Sequence, residues 1–179
     1  MIEISFWQVF AVITAAWVLL RAFFALKSGR IDWKRELMLL TVYCCIIVIT
    51  RMVYFPLHLV DGRLGKLRFD SSRILPFWID PIPFVNLFER YNGWLMNIAG
   101  NILMFVPVGF FWPLCFKKLD NPGKATAAGA LYSLLIELSQ LLFYQRKTDA
   151  NDIVTNTLGA FIGALLYFGC AALVRRKRK

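Results

Sequence analysis

The chain has 179 residues, of which 59% are hydrophobic and only 18% are charged. Soluble domains typically contain about 45–50% apolar and about 25% charged residues, so this composition excludes an ordinary soluble domain and indicates a membrane protein. The formal net charge of +10 comes from basic residues beside apolar runs and from the tail at residues 175–179. That distribution is typical of membrane topology and argues against a nucleic-acid partner.

Five apolar runs approach the ~20 residues that a membrane-spanning helix needs. They predict helices at about residues 4–26, 37–60, 94–116, 125–144 and 153–174. Residues 61–93 contain Pro76, Pro81 and Pro83 among aromatic residues, which excludes a continuous helix and favours a connector in the headgroup zone or over a pocket. We therefore expect one domain, residues 1–179, folded as an all-α membrane protein. It would be a bundle of about five transmembrane helices with an aromatic and proline-rich extracellular connector.

The basic residues also predict an orientation. The first connector, the third connector and the tail carry 12 Lys and Arg, whereas the N-terminus and the other two connectors carry 7. Because cytoplasmic segments carry the excess of Lys and Arg, the N-terminus is predicted outside and the C-terminus in the cytoplasm. The opening residues MIEIS lack the basic region of a cleaved signal peptide, so we expect the first run to remain as an anchor.

Polar residues interrupt three of the apolar runs at helical spacing. In chain order they are Asn97 and Asn101, Glu137 and Gln140, and Asp152 and Asn156. Residues three or four apart share one face of a helix. With a rise of about 1.5 Å per residue, Asn101 and Glu137 each lie about 10 Å from the same membrane surface. The three faces are therefore predicted to form one polar pocket in the outer half of the bilayer.

A charged residue near the middle of a spanning helix costs about 2.5–3.5 kcal/mol, so Glu137 is a candidate functional carboxylate. It would act as a general acid or base, with Asp152 orienting it or holding a metal, and with Arg146 stabilising negative charge. The alternative is a buried neutral acid, or one paired with Arg51, that fixes the bundle. Arg51 and Arg146 are candidate contacts to an anionic ligand. The other candidate ligand-binding residues are Asn97, Asn101, Gln140, Asp149 and Asn156.

Structural roles stay open for several of these residues. Asp149 is equally well placed to cap the fifth helix, and the amide side chains are suited to hydrogen bonds between helices. A calcium-binding loop would need Gly and Glu at its sixth and twelfth positions, where Val154 and Ala160 stand. No phosphate-binding loop, dinucleotide fingerprint or HExxH motif is present, so no motif assigns a metal or a cofactor to the chain. The four cysteines lie in or beside apolar runs and are expected to be buried thiols.

Residues 97–163 resemble the VanZ family of bacterial membrane proteins. The first matching stretch is NIAGNILMFVPVGF, and the second is IELSQ with Glu137 and Gln140. The third stretch contains Arg146 and Asp149 and continues through Asp152 in DIVTNTLGAFIG.

The resemblance implies an integral protein of the bacterial cytoplasmic membrane. It also implies a link to resistance to teicoplanin-type lipoglycopeptides, and it leaves the chemistry open. One hypothesis is a binding protein for an amphiphile, either a lipid-linked cell-wall precursor or a lipoglycopeptide. The second is an intramembrane enzyme that modifies or hydrolyses such a lipid. The third is a scaffold whose polar residues only fix the helix register.

Overall fold

The computed structural model describes residues 2–55, 59–60, 63–69, 79–80, 94–143 and 148–177. The helices there are α1 (Phe6–Ser28), α2 (Trp33–Tyr54), α3 (Trp94–Cys115), α4 (Pro122–Gln140) and α5 (Ala150–Lys177). The strands are short: β1 (Ile2–Ile4), β2 (Leu59–Val60), β3 (Arg63–Leu64), β4 (Leu67–Phe69), β5 (Ile79–Asp80) and β6 (Thr148–Asp149). The predicted all-α membrane bundle is confirmed.

Four of these helices, α1, α2, α3 and α5, are long and apolar enough to cross a membrane. The remaining helix, α4, has 19 residues. Lys124, Ser133 and Glu137 lower its hydropathy below that of the other four. The fourth predicted span, residues 125–144, is therefore a helix of the bundle that is less apolar than the other four because it carries polar residues on its interior face.

The helix ends follow capping side chains more closely than they follow hydropathy. The second helix begins at Trp33, before the predicted residue 37, because Asp32 accepts hydrogen bonds from the backbone N–H groups of Lys34 and Arg35. It ends at Tyr54 rather than at residue 60. The fourth helix begins at Pro122 rather than at residue 125, where proline suits a first helical turn.

The C-terminal helices differ from prediction in the same way. The fourth helix ends at Gln140 rather than at residue 144. The fifth runs from Ala150 to Lys177 rather than over residues 153–174, because helix continues into the basic residues that follow the apolar run.

The described residues form three two-stranded sheets, two of which join the long connector to residues directly before a helix. Strand β1 pairs antiparallel with β4, and β2 pairs antiparallel with β3. Strand β5 pairs in parallel with β6, so that Asp80 lies opposite Asp149. Part of the long connector is thereby attached directly before α5. Most of that connector, and with it the predicted position over a pocket, lies outside the described residues.

Four helices meet in the main apolar core. It contains Cys45 and Ile49 of α2, Phe105 and Val108 of α3, Ile136 of α4 and Ala160 of α5. A smaller cluster of Phe6, Phe55 and Leu67 attaches the start of α1. Many large apolar side chains on the outside of the bundle are exposed, as expected for surfaces that face lipid.

Glycines allow α3 and α5 to touch through their backbones. A Cβ atom on Gly163 would lie 2.0 Å from the carbonyl oxygen of Val106, and one on Gly159 would lie 2.2 Å from that of Ile102. A Cβ atom on Gly109 would lie 1.9 Å from the carbonyl oxygen of Ala160. Only glycine fits at these three positions, so the helix pair is fixed in register.

We predict that Gly163→Ala destabilises the protein by about 1–3 kcal/mol, since the added methyl group must displace the backbone of α3. Gly169→Ala is the matched control, because a Cβ atom there meets no heavy atom within 4 Å. Thermal unfolding of the two variants in detergent compares them directly. Equal melting temperatures would contradict the close backbone contact.

Candidate functional site

Buried polar side chains concentrate where α3, α4 and α5 face one another. In the described part of the chain, seven of the eight buried polar residues lie on these helices, the exception being Thr50 of α2. The seven are Asn101, Ser133, Glu137, Gln140, Asn151, Thr155 and Asn156. We call this set, together with Asp149 and Asp152, the polar cluster.

Asn101 and Asp152 link α3 to α5. The Nδ2 atom of Asn101 donates a hydrogen bond of 2.6 Å to Oδ1 of Asp152. Asp152 lies in the first turn of α5, where the partial positive charge of the helix N-terminus stabilises a carboxylate. The contact is between helices, so it fixes how α5 is rotated against α3.

Glu137 and Asp149 link α4 to the start of α5. The side chain of Glu137 is only 2% exposed, and its Oε2 atom accepts a 3.0 Å hydrogen bond from the backbone N–H of Asp149. The side chain of Asp149 accepts in turn from the backbone N–H of Asn151 at 2.8 Å. Asp149 therefore has the helix-capping contact that was the alternative to ligand binding, while its backbone positions the carboxylate of Glu137.

Asn156 links α5 to α4 one turn further into the bundle. Its Nδ2 atom donates to Oγ of Ser133 at 3.0 Å. Its Oδ1 atom is buried and accepts no hydrogen bond in the described structure. A buried acceptor without a partner costs about 1–3 kcal/mol, so this oxygen is a favourable contact for a hydroxyl, an amide N–H or a water.

Other predicted residues lie at the edge of this set or outside it. Gln140 is 5% exposed and is the last residue of α4. Asn97 is exposed, although it is only one turn from Asn101. Arg146 lies outside the described residues.

Arg51 makes local contacts on its own side of the bundle. Its guanidinium donates to the carbonyl oxygen of Phe55 at 2.6 Å and lies 5.6 Å from the ring centroid of Phe6. Among the described residues no ion pair joins Arg51 to Glu137. The ion pair with Arg51, which was one of the alternatives for Glu137, is therefore not formed among the described residues.

Two residues that the sequence reasoning did not select connect α2 to the same region. The hydroxyl of Tyr54 is hydrogen-bonded to Oγ of Ser139 and donates to the carbonyl oxygen of Ile136 at 3.3 Å. Tyr54 is the last residue of α2, and a polar hydroxyl at the end of an apolar run is the signal that could have selected it.

An apolar groove of about 670 Å³ lies between α2 and α3. Its walls include Ile49 and Met52 of α2, and Leu103 and Pro107 of α3. The groove reaches Gly100, which is adjacent in sequence to Asn101. Within the described residues, no three or more His, Cys, Asp or Glu side chains are grouped to hold a metal ion.

The chain was compared with known proteins. The family model described as VanZ/LLP1 matches residues 38–174. Protein VanZ of Enterococcus faecium is 36% identical over 76 residues, which are 42% of this chain and 47% of that protein. The match thus spans about half the length of this curated relative. No solved structure matches the chain.

We predict that Asn101 and Asp152 are energetically coupled. In a double-mutant cycle of Asn101→Ala and Asp152→Ala, the coupling free energy should be about 1–3 kcal/mol, because the hydrogen bond involves a charged group. The measurement is the free energy of unfolding in detergent. Asn97→Ala, one turn away and exposed, serves as the control and should leave stability within about 0.5 kcal/mol. Additive effects of Asn101→Ala and Asp152→Ala would contradict the contact.

Proposed function

Because the chain belongs to the VanZ/LLP1 family, we propose that it is a membrane protein that binds an amphiphile at the polar cluster. The proposed ligand is a lipid-linked cell-wall precursor or the acyl-bearing part of a lipoglycopeptide. Through this binding the protein would contribute to resistance to teicoplanin-type lipoglycopeptides. In the proposed orientation the N-terminus is outside, so the site opens toward the outer leaflet, where such ligands are found.

The observation that carries this proposal is the unpartnered buried oxygen of Asn156. If the polar cluster served only to hold helices together, its acceptors would be expected to find donors inside the protein. Apolar side chains of similar size would also pack the bundle at least as stably. A ligand that brings a donor into the cluster accounts for an acceptor left open among polar neighbours.

The surroundings of the cluster favour an amphiphile over a small polar molecule. The α2–α3 groove has a volume of about 670 Å³ and a mainly apolar lining, within the range of about 300–1,000 Å³ common for ligand sites. It reaches the residue next to Asn101. An acyl chain in the groove would lie on α2 and α3 while its polar head meets the cluster.

The roles of the individual residues follow from their chemistry. The amide groups of Asn101 and Asn156 orient the head through hydrogen bonds, with Gln140 beside them. Arg51 and Arg146 supply positive charge for an anionic part of the ligand. Asn97 is exposed, so we assign it a contact at the entrance of the site.

A second function, an intramembrane enzyme, is favoured by one observation. Glu137 is buried, and its carboxylate is held by the backbone of Asp149. Asp152, the second acidic residue in this candidate function, lies in the first turn of α5, where it accepts a hydrogen bond from Asn101. In this candidate function Glu137 transfers a proton in the hydrolysis or modification of a lipid-linked substrate, and Asp152 orients it.

We predict that Asn156→Leu removes both teicoplanin protection and ligand retention, because it replaces the open acceptor with a methyl group of similar size. The assays are teicoplanin susceptibility of a sensitive Gram-positive host expressing the variant, and mass spectrometry of lipids that co-purify with it. Thr157→Val is the control, because Thr157 lies next to Asn156 on α5 but outside the polar cluster, and it should keep both. Protection by Asn156→Leu at matched expression would contradict the proposal.

We further predict the outcome for Glu137→Gln, which keeps size and hydrogen bonding but removes ionisation. If the protein is an enzyme, protection is lost while the lipid is still retained, since the unreacted substrate stays bound. Retained protection would exclude the enzyme.

The control for Glu137→Gln is Asp120→Asn in the loop before α4. A hydrogen bond from Lys124 lowers the pKa of Asp120, so this substitution also removes a negative charge. It should leave protection unchanged.

A further inference from the structure

A second concave site lies at the turn between α1 and α2. Its volume is about 650 Å³, and it is lined by the last residues of α1, the turn and the first residues of α2. The Sγ atom of Cys115, the last residue of α3, donates to the carbonyl oxygen of Met38 at 3.1 Å. The turn is therefore at the end of the bundle where α3 finishes, and the polar cluster is toward the end where α3 begins.

The lining has an excess of positive charge. Four of its side chains are cationic, namely Arg21, Lys27, Arg30 and Arg35, and two are acidic, namely Asp32 and Glu36. An excess of cations in a concave surface focuses a positive potential, which attracts an anion.

Both acidic side chains already have partners inside the protein. Glu36 is bound by two atoms of the Arg21 guanidinium, with Nε of Arg21 2.8 Å from Oε2 of Glu36. Asp32 caps α2 by accepting from two backbone N–H groups at 3.1 and 3.2 Å. Across the described residues, no ion pair neutralises Lys27, Arg30 or Arg35. Three cations thus remain to bind an anionic ligand.

The turn that carries these cations is short. Gly29 ends α1 with a φ of 65°, a left-handed conformation that glycine adopts without strain, and its N–H binds the carbonyl oxygen of Leu26. The second helix is capped three residues later by Asp32. The cations are therefore presented by two helix ends and a tight turn.

Apolar surface continues from the rim of this site along α1. Phe24 and Ile31 are part of the lining, and Leu20, Phe23 and Leu26 on α1 are 49%, 59% and 83% exposed. Trp33, at the start of α2, is 76% exposed, and tryptophan is enriched at the membrane–water interface. A cationic hollow beside a lipid-facing helix matches a molecule with an anionic head and apolar chains.

We propose that the α1–α2 turn binds the phosphate-bearing headgroup of an anionic phospholipid, whose acyl chains lie along α1. Lys27, Arg30 and Arg35 contact the phosphate, and the Arg21–Glu36 pair forms the floor of the site. This site is separate from the polar cluster, and the proposal does not depend on the function proposed for that cluster.

The test is native mass spectrometry of the full-length protein titrated with phosphatidylglycerol, or with phosphatidylcholine of the same acyl chains. Wild type is expected to bind phosphatidylglycerol more tightly. The double variant Arg30→Gln/Arg35→Gln leaves the Arg21–Glu36 pair and the backbone caps in place. It should weaken phosphatidylglycerol binding by about 25-fold, at about fivefold per cation removed.

The matched control is Lys117→Gln/Lys118→Gln, which removes two exposed cations from the loop after α3, at the same end of the bundle but outside the site. It should change binding by less than about threefold. Equal losses in the two double variants would overturn the proposal in favour of general surface charge. The absence of a preference for phosphatidylglycerol in wild type would overturn it as well.

Inorganic phosphate distinguishes a lipid from a soluble anion. A lipid site should keep phosphatidylglycerol bound at millimolar phosphate, because the acyl chains also contribute to binding. Displacement by phosphate would overturn the assignment to lipid. If the double variant does not fold, Lys27→Gln alone decides the question: about fivefold weaker binding supports the site, and unchanged binding refutes it.

Discussion

The backbone contact between α3 and α5 is the constraint on which the rest of the structure depends. Lipid surrounds the bundle with apolar chains, so helices in a membrane gain little from burying apolar surface and associate through close packing and hydrogen bonds. Gly109, Gly159 and Gly163 provide the close packing, since each faces a backbone atom of the other helix closer than a side chain would allow. At this separation the short side chain of Asn101 reaches Asp152. Wider spacing of the helices would break this hydrogen bond and leave the buried amide of Asn101 without this partner.

The polar cluster depends on the same arrangement through α4. Gly129 faces the Cβ atom of Ala160, which brings α4 against α5, and Ser133 and Glu137 follow on the same face of α4. Their partners are a side chain of α5 and a backbone N–H just before it. The pairing of β5 with β6 attaches the long connector at Asp149. The connector and the buried carboxylate of Glu137 are thus joined through a single residue, so the position of one constrains the other.

Much of this arrangement could be predicted from sequence because it follows from periodicity along one helix. The spacing of Glu137 and Gln140, and the depth of Asn101, predict that these residues face the interior, and all three are buried there. Spacing does not determine how a helix is rotated about its axis. That rotation follows from the α3–α5 contact, and it leaves Asn97 exposed while Asn101, one turn away, is buried. The starts of α2 and α4 are set by the capping side chains of Asp32 and Asn121. Hydropathy does not predict such caps. Arg51 donates a hydrogen bond to a carbonyl oxygen at the end of its own helix. Membrane depth alone does not predict this partner.

The most direct test of this account is an experimental structure of the protein in a lipid nanodisc, with side chains resolved on α3, α4 and α5. We expect the amide of Asn101 to lie within hydrogen-bond distance of the carboxylate of Asp152, and Asn156 and Glu137 to face the same interior. We also expect density for a bound molecule beside the open oxygen of Asn156. Side chains of Asn101, Glu137 and Asn156 that point to separate sides of the bundle would contradict it.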